Sequence, residues 1–166
     1  GGDSDTIDYS SLSGATSINV TLSESVLATV FVTGGDNDQV QNIENVIGTT
    51  GDDTLTGDTQ DNNLQGNAGD DTLSGGDGDD KLEGGLGSDT FIGGAGVDEI
   101  LGGSGIDTAD YSTSTGNVDV NLAAGEATID GLGGSDMLSS IENITGSDNN
   151  DFLTGNGVAN VIDAGS

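Results

Sequence analysis

A period of nine constrains this chain more than any other feature. From Gly48 the sequence divides without insertion into GTTGDDTLT, GDTQDNNLQ, GNAGDDTLS, GGDGDDKLE, GGLGSDTFI, GGAGVDEIL and GGSGIDTAD, ending at Asp110. Position 1 is Gly in all seven. Position 4 is Gly except at Gln60, and position 6 is Asp except at Asn62. Position 8 is apolar throughout: Leu55, Leu64, Leu73, Leu82, Phe91, Ile100 and Ala109. A helix would need apolar residues every three or four positions. Nine residues split instead into a Gly-rich turn of six and a strand of three, with one apolar side chain between two polar ones, as in Thr54-Leu55-Thr56. Two nonapeptides then make one coil of a flattened right-handed roll. Coils stack about 4.8 Å apart and the position-8 side chains of its two faces meet as a thin core. The expected fold is all-β, a parallel β-roll.

A longer repeat surrounds this block. DTIDYS at 5–10 returns at 107–112 as DTADYS, INVTL at 18–22 as VDVNL at 118–122, and IENVIG at 43–48 as IENITG at 141–146. The offsets are 102, 100 and 98, so two otherwise equivalent strand sets differ in loop length. The alternating segments 18–22 and 118–122 read as strands, and Val26 to Val32 as a longer, more buried one. The expected organisation is one solenoid: spacer coils at 1–47, the nonapeptide roll at 48–110, a second spacer at 111–145 and the start of another nonapeptide block at 146–166. A small β-sandwich flanking the roll is the competing reading of the spacers.

Composition decides what such a roll can bind. The chain has 166 residues, 30 of them acidic against one Lys, no Arg, and a net charge of −29. One lysine, Lys81, cannot make the basic cluster that nucleic acid or an anionic membrane requires. No apolar run approaches the roughly 20 residues of a membrane-spanning helix, and no leader is read in the opening residues. There is no Cys, His, Trp or Pro. Disulfides and sites for zinc or copper are thereby excluded. The available ligands are carboxylate, amide and carbonyl oxygens, which suit a hard cation. A cation is also needed: two carboxylates about 5 Å apart repel by roughly 3 kcal/mol at an effective dielectric near 20. Without one, this composition is that of a disordered chain. Catalysis lacks its usual groups, and no enzymatic activity is expected. The acidic residues at position 5, such as Asp52, Asp70 and Asp79, should face solvent, and Tyr9 and Tyr111 should cap the thin core.

GGDGDDKLE, GGLGSDTFI and GGAGVDEIL match the pattern GGxGxDxUx, where U is a large apolar residue. The chain therefore resembles the repeats-in-toxin, or hemolysin-type calcium-binding, family. The resemblance implies several calcium ions, each between one turn and the turn two repeats later, on the same side of the roll. It implies that position-6 carboxylates of both turns are ligands, with carbonyls from positions 2 and 4 of the first and 1 and 3 of the second. Four sites follow by analogy. One takes Gly76, Gly78 and Asp80 with Gly93, Ala95 and Asp98. A second takes Asn67, Gly69 and Asp71 with Gly84, Leu86 and Asp89. A third takes Gly85, Gly87 and Asp89 with Gly102, Ser104 and Asp107. The fourth takes Thr49, Gly51 and Asp53 with Gly66, Ala68 and Asp71. Asn62 and Asn160 break the pattern. Asp38 and Asp136 sit at equivalent places in turn-like segments, GGDND and GLGGSD, and are candidates for further ions, although each stands 15 residues, not 18, from the position-6 residue that follows, Asp53 and Asp151 respectively.

The resemblance further implies a protein secreted to the extracellular space or cell surface, exported by the type I route. The expected role is a calcium-folded structural module: an adhesin stalk, matrix fibre or surface-layer element. The alternative is an accessory module of a secreted polysaccharide-modifying enzyme or protease. Partners other than calcium reduce to possible head-to-tail self-association or membership of a tandem array, because both ends fall within a repeat.

Overall fold

The computed structural model describes residues 4–12, 16–24 and 26–165. Among them the chain forms strands and no helix. The nonapeptide block supplies β6 (Thr54–Thr56), β7 (Asn63–Ala68), β8 (Thr72–Asp77), β9 (Lys81–Leu86), β10 (Thr90–Ala95), β11 (Glu99–Ser104) and β12 (Thr108–Asp110). Successive strands alternate between two sheets, and strands two apart pair in parallel. Leu55 lies beside Leu73, Leu73 beside Phe91, and Phe91 beside Ala109. In the other sheet Leu64 lies beside Leu82 and Leu82 beside Ile100. One coil is therefore two nonapeptides, and all seven position-8 side chains are buried.

The full-length strands of the block, β7 to β11, span six residues rather than three. The expected turn of six is largely strand, because the Gly pairs also enter the ladder: Gly76 sits beside Gly94 and Gly85 beside Gly103. Stacking backbone on backbone there excludes side chains. Gly87 has a φ of 131°, and a Cβ on it would lie 1.9 Å from the Gly69 carbonyl oxygen. Only glycine meets both demands.

The spacers contain β1 (Thr6–Asp8), β2 (Ile18–Thr21), β3 (Ala28–Val32), β4 (Asp38–Val40) and β5 (Asn45–Ile47), then β13 (Asp119–Asn121), β14 (Glu126–Ile129), β15 (Asp136–Ser139) and β16 (Asn143–Thr145). Beyond them lie β17 (Phe152–Thr154) and β18 (Ile162–Asp163). Some of these are ordinary coil strands: β5 joins β7, β2 joins β6 and β12 joins β16, all in parallel. Strands at 18–22, 118–122 and within 26–32 were expected, but their antiparallel pairing was not. β2, β3 and β4 form an antiparallel meander, as do β13, β14 and β15. Both meanders extend the roll's own sheets. The expectation of a well-buried strand at Val26–Val32 is corrected here. Only Val30 is buried; Val26, Leu27 and Phe31 are more than half exposed. The meander has one face on the roll and one in solvent, so an apolar run in sequence becomes an alternating strand in space.

The two spacers share several hydrogen bonds. Tyr9 N–H donates to the Ile47 carbonyl and Tyr111 N–H to that of Thr145, each at 2.8 Å. Asp5 N–H donates to Glu44 at 2.8 Å and Asp107 N–H to Glu142 at 2.9 Å. The copies lie in opposite sheets, since β1 and β5 share a sheet with β7 while β12 and β16 share one with β10. Seven nonapeptides are an odd number of half-coils, so the second spacer emerges half a turn around the roll.

Candidate metal centre

The position-6 aspartates begin each strand, where a Gly-rich turn delivers the chain back to the sheet. Asp53, Asp71, Asp80, Asp89, Asp98 and Asp107 are all buried. They form two ladders. In one, the N–H of Asp53 donates to Asp71 Oδ1 at 2.7 Å, Asp71 to Asp89 at 2.8 Å and Asp89 to Asp107 at 2.9 Å. In the other, Asn62 N–H donates to Asp80 Oδ1 at 2.7 Å and Asp80 N–H to Asp98 Oδ1 at 2.9 Å. Each rung joins residues exactly two repeats apart in sequence.

Their second oxygens divide the turns into two kinds. In the first kind the position-2 N–H closes the turn onto the position-6 side chain: Thr49 onto Asp53 Oδ2 at 2.6 Å, Asp58 onto Asn62 Oδ1 at 2.8 Å, Ser147 onto Asp151 Oδ2 at 2.7 Å and Asn156 onto Asn160 Oδ1 at 2.9 Å. In the second kind position 2 is left-handed: Asn67, Gly76, Gly85, Gly94 and Gly103 have φ between 80° and 115°. There the position-6 Oδ2 is buried without a partner, in Asp71, Asp80, Asp89, Asp98 and Asp107. Buried carboxylate oxygens are ordinarily hydrogen-bonded or metal-bound.

At Asp71 and Asp80 the orphaned oxygen lies near a carbonyl of the following coil. A Cβ on Gly66 would lie 2.1 Å from Asp71 Oδ2 and 2.9 Å from the Gly84 carbonyl oxygen. On Gly75 it would lie 2.1 Å from Asp80 Oδ2 and 2.5 Å from the Gly93 carbonyl oxygen. Two acceptors thus converge over one glycine. Asn67 lies beside Gly85 and Ala68 beside Leu86, while Gly85 lies beside Gly103 and Leu86 beside Ser104. Gly94 lies beside Gly76 and Ala95 beside Asp77. These are the stacked turns on which the ligand sets containing Gly69, Gly78, Gly87 and Gly102 were drawn. Thr49, Gly51 and Asp53 also face the turn of Gly66 and Asp71, but Asp53 Oδ2 is already bonded to Thr49.

Electrostatics agree with the geometry. Burial pushes the Asp71 and Asp80 carboxyls up to about 7 and those of Asp98 and Asp107 up to about 6, with the ladder N–H bond offsetting part of the rise. Asp53 and Asp89 are also raised, by burial first. No three Asp, Glu, His or Cys side chains gather as a metal-holding group among the described residues. A bound ion must therefore take much of its shell from backbone carbonyls, as calcium does readily.

Three features escaped the sequence reading. The position-5 carboxylates are exposed as expected, yet they make an outer ladder: Asp52 accepts the Asp70 N–H at 2.9 Å and Asp70 that of Ser88 at 2.8 Å. Asp136 is paired not with Asp151 but with Asp98, whose N–H reaches its Oδ1 at 3.3 Å. Its Oδ2 accepts the Tyr111 hydroxyl at 2.9 Å, just as Asp38 accepts that of Tyr9. Burial, then the nearby Asp98, raises the Asp136 carboxyl to about 7. The segment GLGGSD at 131–136, with Gly at positions 1 and 4 and Asp at 6, marks Asp136 as a candidate ligand in the sequence; its partner Asp98 was hidden by the broken spacing.

Comparison with known families agrees with this geometry. A family model described as the RTX calcium-binding nonapeptide repeat, in four copies, matches residues 47–82, 74–109 and 139–166. No curated protein matches the chain.

Proposed function

The chain belongs to the RTX calcium-binding nonapeptide repeat family, whose repeats bind calcium, and from this we propose that it is a calcium-folded structural module of a secreted protein. It serves as a stalk, fibre or surface-layer element at the cell exterior, and spacers and nonapeptide blocks together make one solenoid. The observation that carries this reading is the set of five buried carboxylate oxygens without a donor among the described residues, a row of three in one ladder and two in the other, in a chain with one lysine. A protein of marginal stability cannot hold such a row uncompensated. Calcium removes the repulsion and ties successive coils together. Extracellular modules bind calcium at about 10⁻⁴–10⁻³ M, so the chain stays loose at cytosolic calcium and folds outside.

Three ion sites are built on Asp80 with Asp98, Asp71 with Asp89 and Asp89 with Asp107, each completed by the turn carbonyls named above. The site of Thr49, Gly51 and Asp53 with Gly66, Ala68 and Asp71 is weaker, because Thr49 already satisfies Asp53. The equivalence of the two spacers supports membership of a tandem array or end-to-end stacking, since the spacer motifs return within this chain at offsets of 98 to 102. Calcium titration of Asp89→Ala tests the register. Asp89 serves two sites, so its loss should raise the calcium midpoint several-fold, whereas Asp52→Ala, on the exposed outer ladder, should move it little. Equal midpoints for Asp89→Ala and the parent chain would reject this assignment.

A further inference from the structure

Five orphaned oxygens require five forward neighbours, and the nonapeptide block supplies three. Asp71, Asp80 and Asp89 look onto the turns of Asp89, Asp98 and Asp107. Asp98 and Asp107 are the last of their ladders within the block, and both look onto the second spacer. Neither is exposed at all.

The spacer sets a turn against each. For Asp107, a Cβ on Gly102 would lie 2.6 Å from Asp107 Oδ2 and 2.0 Å from the Ser140 carbonyl oxygen. The same stacking of a side-chain oxygen and a forward carbonyl recurs over Gly48, Gly57, Gly66 and Gly75, and what sets Asp107 apart from Asp53 and Asn62 is that its Oδ2 has no donor. Ser140 follows Asp136 as Gly102 follows Asp98, so it occupies position 1 of a shortened turn, 140–142. Glu142 closes that turn where Asp would otherwise stand, and its longer side chain reaches the Asp107 N–H at 2.9 Å. For Asp98, the forward turn is 131–136. Gly134 stacks on Gly96 so closely that a Cβ there would meet the Gly96 carbonyl oxygen at 1.5 Å, continuing the column of Gly96 on Gly78. The register also continues, with Ile100 beside Leu138 and Met137 N–H donating to the Asp98 carbonyl at 2.8 Å. Asp136 lies on the Asp98 N–H, and the buried Asp130 organises the turn by accepting the N–H groups of Leu132, Gly133 and Gly134 at 2.8–2.9 Å.

We propose that the second spacer completes two further calcium sites, one between Asp98 and Asp136 and one between Asp107 and the Ser140–Glu142 turn. Both lie where the nine-residue period is interrupted, with sequence separations of 38 and 35 in place of the two-repeat spacing. The remaining oxygens come from turn carbonyls. Asp136 keeps coordinating capacity beyond its bonds to Asp98 N–H and Tyr111, because a carboxylate offers about four lone-pair sites. Tyr111, buried inside the protein, holds the Asp136 carboxylate through its hydroxyl.

The proposal rests on the calcium reading above, and native mass spectrometry of the whole chain in calcium separates the two. Asp136→Asn and Glu142→Gln each keep an acceptor for the existing N–H and O–H donors while removing a charge. Each should lower the maximal ion count by one, and the double variant by two. Circular dichroism at saturating calcium should stay near that of the parent, and Glu99→Gln, an exposed control, should keep the parent's count. Terbium gives a second readout for the Asp136 site. The chain has two tyrosines and no Trp, so tyrosine-sensitised emission should survive Tyr9→Phe and fall to near background in both Tyr111→Phe and Asp136→Asn. An unchanged ion count in either variant overturns the site it carries. A parent chain that takes up no calcium would instead reject the family-level function.

Discussion

The residue at position 2 of each turn decides what its aspartate needs. A left-handed residue there turns its N–H away and leaves the carboxylate to a cation, whereas Thr49, Asp58, Ser147 and Asn156 close the turn with a hydrogen bond. Asn62 and Asn160 go further: their amides donate to the Glu44 and Glu142 carbonyls, bridging coils without any ion. The open turns have a signature in pH. The carboxyls of Asp71, Asp80, Asp98 and Asp107 rise from an ordinary 3.8 towards about 6–7 in the calcium-free fold, and that of Asp89 rises in the same direction. Between roughly pH 4 and 7 the folded chain therefore holds more protons than the unfolded one, and calcium-free stability falls as pH rises through that window. In chelator the β signal should grow as pH drops from 8 to 4.5. In calcium the midpoint should rise over the same change, because protons and calcium compete for the same oxygens. A calcium midpoint indifferent to pH would contradict the burial of these groups. The position-6 aspartates were legible because the period places them beside glycines. Glu142 was not, because its turn is shortened and the two-repeat spacing no longer points to it.

At the scale of the element, a strand of the block buries one large side chain per nonapeptide, so each carries an unusual share of the core. Phe91 has Leu73 and Ala109 as its parallel neighbours and is wholly buried. Phe91→Ala should cost about 3–5 kcal/mol of the calcium-loaded fold's stability by denaturant unfolding. Gly87→Ala should be comparably harmful for a different reason: it adds only a methyl, but at a positive φ and against the Gly69 carbonyl, with no room to relax. If Gly87→Ala unfolded at the parent's denaturant midpoint, the close stacking of turns would be wrong. The position-8 core could be read directly from sequence, since one apolar residue recurs in a fixed frame. The meanders could not. Antiparallel pairing of β2, β3 and β4 reverses the chain within the spacer, and no period marks that reversal. The apolar run at Val26–Val32 suggested burial on both faces, whereas the sheet covers only one.

For the whole molecule, the odd number of nonapeptides has a geometric result. It places successive spacer meanders on opposite faces, so a longer array built on this unit carries its projections alternately. Cohesion along such an array cannot come from the thin core alone. Full burial contributes about 1.5–3 kcal/mol for each large apolar side chain, against ladders of buried aspartates that repel until a cation lies between them. On the function proposed above, calcium is a folding partner and not an ornament on a pre-formed roll. The most direct test is far-ultraviolet circular dichroism at pH 7.5, first in chelator and then through a calcium titration to about 10 mM, with magnesium as the control for ionic strength. The account predicts no β signal in chelator or in magnesium and a cooperative gain of β structure in calcium. Full β structure in chelator at that pH would contradict it.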